Sequence, residues 1–447
     1  RSATCPRVGG LASAFTPKNP MPDESSILTP EAVLAALDES ACLDNVKLLW
    51  DASMAAFPPE LPRFLDPAGI RTSMEWAGLD KSLEPVFEGV AARMAADPAL
   101  RQLAWHACWR VFDAPEDSPL KTWPSLEKSL GPESGVFYLI VSLDLVPRLR
   151  AFHRALGVPE AITRDTCRQI WSFTDNFRRG QGGRPGMYKR QLSWLRHYAR
   201  EPLFRIGRLE FWLRPYVPGP AVYRNRTTGE TLALAGDNLR FDRNGFRIVP
   251  EEPTGPEEWT SRLVTDERSV TGFPISPYGR AINREASLPL DAWECVLRKG
   301  SMVLDVHIPA GGNMSVEACA DSFRSAVVFF RQYFPKALPA AIVSASWIFN
   351  PGLEEFMPPD ANLVRFLREL YLFPVPCSPD SGIWFIFFQD KFDPATAPRD
   401  SRLQRAVYNY ITAGNRWRIS GMFMLLDDVP RVGTRHYRST WPPAVLK

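Results

Sequence analysis

The sequence lacks the short motifs that mark the common cofactor and metal sites. The chain has 447 residues with seven cysteines, and no two of them form a CxxC pair, which excludes a zinc ribbon or a dithiol redox motif. No GxGxxG follows a strand pattern, and GxxxxGK[ST], GxSxG and HExxH are absent. The five histidines are scattered, so we expect no metal site.

The chain also lacks long apolar runs and a strong charge bias. No apolar run reaches the ~18 residues that a membrane span needs, and the longest candidate, 136–143, is far shorter. Lys and Arg number 53 against 50 Asp and Glu, a net charge of +3, so nucleic acid is not an expected partner. Scattered cysteines indicate a reducing compartment, and we expect a cytoplasmic protein. Because the chain starts at Arg1, a trimmed leader is left open.

Composition and helix signals divide the chain into two main parts. The 42 prolines are about twice the usual share and favour short connections. We predict an irregular arm over 1–30 and a helical N-terminal domain over 31–200, which Thr29-Pro30-Glu31 opens with a cap, a proline and an acid. The apolar segment 136–143 fits either a buried strand or a helix. The basic glycine-rich segment 179–184 fits a helix–helix turn or an anion site.

Strand patterns begin after residue 200. The alternation over 205–214 predicts one strand, and short strands are predicted at 221–225 and 231–235. The stretch of about 236–290 is rich in proline, glycine and charge and predicts a surface insertion. Together with the segments that follow, residues 201–447 are expected to form a second domain.

The segment from 300 onward alternates strands and helices. A strand at 302–309 precedes a glycine loop and a helix capped by Ser315, and a strand at 341–349 follows. Further elements are predicted in this order: helix 361–372, strand 382–388, helix about 400–412 and strand 418–426. The predicted fold class is therefore α/β (α+β), a helical domain followed by a mixed sheet with helices on both faces.

Three groups of residues are candidates for chemistry. The Gly311-Gly312 turn between a strand and a capped helix can bring backbone amides onto an anion such as a pyrophosphate, although such turns also use glycine for steric reasons alone. Asp305 and His307 are two residues apart on one strand, so their side chains share a face about 6–7 Å apart. Either side chain can serve as a general base, with His307 favoured by its near-neutral pKa, or can have a purely structural partner.

Other polar groups near these strands are weaker candidates. Ser344 and Ser346 share a face of their strand and can bond a pantetheine arm or simply pack as small residues. Glu355 can line an acceptor site, and it can equally be part of a solvated charge pair with Glu354.

Four stretches of the chain resemble one family. They are Leu203-Phe-Arg-Ile-Gly-Arg-Leu-Glu-Phe211, Asp305-Val-His-Ile-Pro309, Ser346-Trp347 and Pro358-Pro-Asp-Ala-Asn-Leu-Val-Arg-Phe366. They resemble the GNAT-like C-terminal domain of two-domain acyltransferases, in which a helical acyltransferase domain comes first. The resemblance implies a mixed sheet with a splay that holds acyl-CoA or acetyl-CoA.

The resemblance also assigns roles to the glycine loop. It implies that the pyrophosphate is held by the loop and the start of the helix after it, at Ala310, Gly311, Gly312, Asn313 and Ser315. The glycine spacing departs from the usual GNAT loop, no arginine lies within it, and Tyr371 is shifted from the place where many GNAT enzymes carry a general acid.

The expected function is transfer of an acyl group from acyl-CoA to a small-molecule acceptor, an amine or a hydroxyl. We expect direct attack in a ternary complex, with His307 or Asp305 as base and backbone amides polarising the thioester carbonyl. A non-catalytic binding or scaffold protein of the same fold is the alternative that the unusual loop favours. A carboxylate-based hydrolase acting on sugars is a third.

Overall fold

A computed structural model describes residues 27–115, 120, 122–217, 219–249, 255 and 257–447. Most of the predicted arm at 1–30 lies outside these residues. The first helix starts at Pro30, and the Thr29 hydroxyl accepts a hydrogen bond from the Ala32 amide, as the cap signal predicts.

The N-terminal domain is built of helices. Thr29, Asp66 and Asp97 each cap a helix that has proline at its first position. Residues 136–142 of the ambiguous segment are helical, and every residue of the helix that contains them, Ser134–Ser142, is buried. The helices are α1 Pro30–Ala36, α2 Leu43–Val46, α3 Trp50–Ala55, α4 Pro67–Ala77, α5 Glu84–Ala96, α6 Pro98–Phe112, α7 Glu127–Leu130, α8 Ser134–Ser142, α9 Leu145–Leu156, α10 Glu160–Cys167, α11 Gln169–Gly180, α12 Lys189–Trp194 and α13 Arg196–Arg200.

A mixed six-stranded sheet forms the centre of the C-terminal domain, in the order β1-β2-β13-β14-β16-β15. Its one parallel pair is β13 with β14, and the other neighbours are antiparallel. The six strands are β1 Leu203–Ile206, β2 Leu209–Pro215, β13 Met302–His307, β14 Ala341–Ser346, β15 Tyr371–Pro374 and β16 Ser420–Leu425.

The parallel pair separates partway along its length. Residues 303–305 of β13 pair with 341–343 of β14, and the pairing stops there. Beyond that point β13 continues to His307 bonded only to β2, and β14 continues to Ser346 bonded only to β16. The sheet is therefore open between the carboxyl ends of β13 and β14.

Different elements pack on the two faces of this sheet. Cross-strand partners point to the same side, so Phe211 and Val306 share the face that α14, Val316–Tyr333, covers through Phe323. The opposite face carries Trp212 and His307, which contact the helical domain. The predicted two-face coverage is confirmed.

The insertion is a small all-β unit. The stretch 236–290 contains β5–β11, and β9 pairs with β4 to complete a five-stranded sheet, β10-β9-β4-β3-β12. A separate apolar cluster supports it, with Leu232, Val270 and Leu288 fully buried. The strands are β3 Ala221–Asn225, β4 Thr231–Leu234, β5 Arg240–Phe241, β6 Trp259–Thr260, β7 Leu263–Thr265, β8 Ser269–Gly272, β9 Pro274–Ser276, β10 Arg280–Ala281, β11 Ala286–Pro289 and β12 Trp293–Leu297.

Four predicted elements are wrong in type or extent. The predicted strand 341–349 ends at Ser346, and residues 347–349 form a 3-10 helix. The predicted single strand 205–214 is a hairpin, because Gly207 turns the chain with a φ of +65°. The predicted helix 361–372 ends at Leu367, and its last residues begin β15. The predicted strand 382–388 is a turn followed by a short helix, since a brief apolar run fits either element. The remaining helices are α15 Leu353–Phe356, α16 Asn362–Leu367, α17 Trp384–Phe387, α18 Arg402–Thr412 and α19 His436–Ser439.

The buried His106 predicts a loss of stability in acid. Its ring nitrogens contact the Ser53 hydroxyl at 2.6 Å and the Val46 carbonyl at 2.8 Å, and burial lowers its pKa to about 3. An imidazole in the unfolded chain titrates near 6.5, so from pH 6.5 down to 3 the unfolded state binds a proton that the folded state excludes. Urea denaturation of His106→Gln across this range should show a smaller fall in unfolding free energy, by up to about 1.4 kcal/mol per pH unit. An unchanged slope would contradict it.

Candidate active site

Asp305 and His307 lie where β13 separates from β14. Asp305 is the last residue of β13 paired with β14, and His307 is the last residue of the strand. As predicted from their spacing, both share a face, and it is the face toward the helical domain. Their partners on β2 are Trp212 opposite Asp305 and Glu210 opposite His307.

The half-buried His307 imidazole sits among aromatic rings, and its Nε2 atom is fully buried. Its ring centroid is 5.0 Å from that of Trp194, edge to face, and 6.1 Å from that of Trp212. Burial lowers the pKa of His307 to about 4, with Arg214 and His197 as smaller causes in the same direction. Among the described residues Nε2 has no hydrogen-bond partner. The ring is therefore neutral at pH 7, with one nitrogen available to a ligand.

The Asp305 carboxylate titrates closer to neutrality. Burial raises its pKa to about 6, although Arg214, with Nη1 3.5 Å from Oδ2, acts in the opposite direction. The Asp305 side chain keeps 20% of its surface exposed, so a substrate can reach it. The pKa order of the two groups is thus the reverse of their ordinary values: the aspartate holds its proton more tightly than the histidine.

Glu210, opposite His307, is a third titratable group on this face, and it was not among the residues predicted for the site. Its Oε2 accepts a hydrogen bond of 2.6 Å from the Tyr198 hydroxyl, and the Arg205 Nε lies 3.8 Å from Oε1. Complete burial raises its pKa. A glutamate among the apolar residues of a strand is the signal that could have singled it out.

The helical domain supplies one wall of the site. From α12 and α13 come Trp194, His197 and Tyr198, and the chain that follows contributes Glu201. Glu201 bridges the domains, since its carboxylate lies 3.1 Å from His197 Nδ1 and accepts a hydrogen bond of 3.1 Å from the Trp212 indole. The site is therefore built between two domains, which no local pattern in the sequence indicates.

The glycine loop follows directly from β13. Gly311 and Gly312 are exposed and have φ angles of +80° and +69°, a region that favours glycine. The Ser315 hydroxyl caps α14, the helix that begins at Val316 and runs for 18 residues. Loop and helix have the predicted geometry.

An arginine from another turn supports the loop. The Arg208 guanidinium, in the β1–β2 hairpin turn, donates hydrogen bonds of 3.0 Å to the carbonyls of Pro309 and Asn313. The predicted loop contains no arginine, and the fold places one beside it. From the helical domain, the Trp171 ring lies where a Cβ on Gly311 would meet it at 3.3 Å.

The other predicted residues lie elsewhere. The strand register places Ser344 and Ser346 on the face toward α14, opposite to Asp305 and His307. The Ser346 hydroxyl accepts a 3.4 Å hydrogen bond from the Ile348 amide. Glu355 lines a separate cavity in the C-terminal domain.

Two further sequence features have structural partners. Glu354 is held by Arg368 at 2.9 Å and Arg438 at 2.6 Å. The Tyr371 hydroxyl donates to the Ile275 carbonyl at 2.5 Å and accepts from the Ala233 amide at 3.3 Å, so it ties the insertion to the main sheet. The segment 179–184 contains the end of α11 and the turn after it.

Comparison with known families matches both halves of the chain. Residues 70–200 match an N-acyltransferase N-terminal domain, and residues 203–423 match a GNAT-like C-terminal domain. The chain has the two-domain architecture of the N-acyltransferases. The resemblance to two-domain acyltransferases and the predicted fold class are confirmed.

Solved structures of similar fold are described as acyltransferases. One is an acyltransferase in complex with decanoyl-CoA and teicoplanin, and another is an acyltransferase mutant in complex with octanoyl-CoA. Each is 21% identical, covers 89% of this chain and has a TM-score of 0.55; the match covers 100% of the first chain and 99% of the second. No curated protein matches significantly.

Two features are absent from the part of the chain that the structure describes. No helix there is long and apolar enough to cross a membrane. No group of three or more His, Cys, Asp and Glu side chains in this part of the chain is arranged to hold a metal ion.

Asp305 should make the protein less stable as the pH rises. Because its pKa is about 6 in the folded state and about 3.9 when unfolded, the folded protein loses stability between pH 4 and 6. Asp305→Asn should therefore gain stability relative to the wild type as the pH rises from 4 to 7, measured by urea denaturation. Asp321→Asn, which removes a carboxylate that is 73% exposed, is the control and should show no such gain. A parallel pH dependence of Asp305→Asn and wild type would refute this account.

Proposed function

We propose that the protein transfers an acyl group from acyl-CoA to the amine of a small-molecule acceptor, with a hydroxyl as the alternative nucleophile. The observation that carries this proposal is the opening between β13 and β14, with Asp305 at its vertex and the glycine loop at the end of β13. The acyltransferase character of both matched domains supports it.

The residues around the glycine loop fit the pyrophosphate of CoA. Exposed glycines in left-handed conformation let a phosphate approach the backbone closely, and the N-terminus of an 18-residue helix favours an anion. Arg208 adds a positive charge next to the loop. Arg208 therefore provides the positive charge that the loop sequence itself lacks.

The opening in the sheet fits the pantetheine arm. Beyond Asp305 and Val343 the facing edges of β13 and β14 no longer bond to each other. An extended ligand with amide groups can bond to such edges in the way a strand does. With its pyrophosphate at the glycine loop and its pantetheine arm in this opening, acyl-CoA would have its thioester near Asp305. The fold relatives described with octanoyl-CoA and decanoyl-CoA make medium-chain acyl-CoA the first donors to assay.

The proposed reaction is a direct attack. The acceptor nitrogen forms a bond to the thioester carbonyl carbon, and the Asp305 carboxylate takes the proton that the nitrogen loses. Collapse of the tetrahedral intermediate breaks the carbon–sulfur bond, and CoA leaves as the thiolate or, after proton transfer, the thiol. Asp305 suits the base better than His307 because its carboxylate has the higher pKa. His307 can orient the substrate through Nε2.

The pH dependence of kcat/KM distinguishes the two bases. If Asp305 takes the proton, the rate should fall in acid with a midpoint near pH 6, and Asp305→Asn should lower kcat about 100-fold or more. If His307 is the base, the midpoint should lie near pH 4 and His307→Gln should show the large loss. Each rate is taken per folded molecule after a melting curve on the same preparation. No turnover with any acyl-CoA and amine would leave the non-catalytic alternative.

Gly312 tests the CoA site with a matched control. Gly312→Ala forces a side chain into a φ of +69° and against Arg208 at 3.2 Å. Gly300→Ala imposes the same kind of strain at a φ of +86°, with nothing within 4 Å. Each should cost about 1–2 kcal/mol of stability, but only Gly312→Ala should weaken CoA binding tenfold or more in calorimetry. Equal affinities for CoA in both variants would exclude the loop as the pyrophosphate site.

A further inference from the structure

Arg214 lies beside Asp305 on the face of the sheet that the helical domain covers. It is on β2, two residues after Trp212, which is the cross-strand partner of Asp305. Arg214 and Asp305 are therefore diagonal neighbours on one face, within reach of a long side chain. Their side chains form an ion pair, with Arg214 Nη1 3.5 Å from Asp305 Oδ2. The vertex of the opening thus carries a cation next to the proposed base.

The Arg214 guanidinium is held against the Trp212 ring. Its central carbon lies 4.3 Å from the centre of the ring, a position in which the cation and the aromatic face attract each other. The Trp212 indole donates a hydrogen bond of 3.1 Å to Glu201, the residue that follows α13. The ring is thereby attached to the end of the helical domain, and it keeps the guanidinium close to Asp305.

The Asp305 carboxylate has no other polar partner in the part of the chain that the structure describes. The ion pair involves Oδ2, so Oδ1 has its lone pairs available, and 20% of the side chain is exposed. His307 is the other titratable group on this strand face, and His197 and Glu201 lie around the Trp212 ring. One oxygen of the base therefore faces a fixed cation, and the other can accept a proton.

Burial and Arg214 act in opposite directions on the proton affinity of Asp305. Removal from water disfavours the carboxylate and raises its pKa to about 6, while the neighbouring guanidinium acts against this rise. A nearby arginine lowers the pKa of an aspartate by about 1–3. Without Arg214, the buried carboxyl group would therefore keep its proton at neutral pH and could not accept one from a substrate.

We propose that Arg214 is a positioning residue for the acyl transfer, which holds the Asp305 carboxylate in its ionised form and in one orientation. This inference rests on the proposed function, in which Asp305 takes the proton of the acceptor nitrogen. With Oδ2 held by the guanidinium, Oδ1 is the oxygen that receives this proton. Arg214 acts through Asp305 and does not itself contact the reacting atoms.

The first test measures the pairing of Arg214 with Asp305 and needs no transferase activity. The unfolding free energy of the full chain is measured by urea denaturation from pH 4 to pH 8. The folded pKa of Asp305 lies above the value of about 3.9 in an unfolded chain, so stability falls as the pH rises and levels off above the folded pKa. In Arg214→Gln this fall should extend to a pH about one unit higher or more.

Three further variants show whether this effect comes from the ion pair. In the Asp305→Asn background, Arg214→Gln should leave the pH dependence above pH 5 unchanged, because the titrating carboxylate is gone. Arg226→Gln removes an arginine from an exposed ion pair with Glu294 and is the control, which should behave as the wild type does. Arg214→Met keeps an apolar cover on the Trp212 ring and replaces Arg214→Gln if that variant does not fold. An Arg214→Gln curve that levels off at the wild-type pH would overturn the proposal.

The second test follows the reaction with decanoyl-CoA and a primary amine. The acid limb of kcat/KM should lie about one pH unit higher or more in Arg214→Gln, with the KM for decanoyl-CoA unchanged. Arg214→Lys restores the charge but not the planar fork of donors. It should therefore return the acid limb to the wild-type pH, while kcat at pH 8 stays several-fold below that of the wild type.

The two tests separate this proposal from the proposed function. An acid limb that does not move in Arg214→Gln would overturn the role of Arg214 and leave the transferase function intact. Absence of turnover by the wild type would contradict the proposed function instead. The stability curves would then still decide whether Arg214 sets the proton affinity of Asp305.

Discussion

The interrupted pairing of β13 with β14 is the constraint on which the candidate active site depends. Three residues of each strand hold the sheet together, and beyond them each strand keeps only its outer neighbour. An opening in the middle of a sheet is stable here because β2 and β16 bond the outer edges of the two strands. The same separation leaves Asp305 at its vertex and directs the chain after His307 into the glycine loop.

Burial between the domains gives the site its electrostatics. The helical domain covers the face of Asp305 and His307 with Trp194 and neighbouring residues, and removal from water penalises the charged form of each group. The aspartate pKa therefore rises while the histidine pKa falls. Neither pKa shift can be predicted from the residue types or from their spacing in the sequence. Both follow from the packing of the helical domain on the sheet.

Local sequence patterns correctly predicted the elements that are stabilised by interactions between residues close in sequence. The Ser315 cap with its apolar helical stripe, the alternation of β13 and the Gly311-Gly312 turn all appear as expected. The predictions were wrong where the local sequence fits two structures equally well and tertiary contacts determine which one forms. The run 382–388 became a turn and a helix because its apolar residues pack into a small cluster with Val407 and Trp417. The segment 205–214 turned at Gly207, which a strand pattern alone does not reveal.

The sequence by itself determined the helical first domain, the mixed sheet after it, and the placing of Asp305 and His307 on one strand face. Those features depend on periodicity and caps, which act over a few residues. Only the tertiary structure decided that Ser344 and Ser346 face away from that pair, that Arg208 reaches the glycine loop, and that Glu355 belongs to another cavity. Strand register and domain packing join residues more than a hundred positions apart, such as Arg208 with Asn313 and Trp194 with His307. The interaction energies that select these arrangements are spread over many contacts, so no single segment of the sequence reveals them.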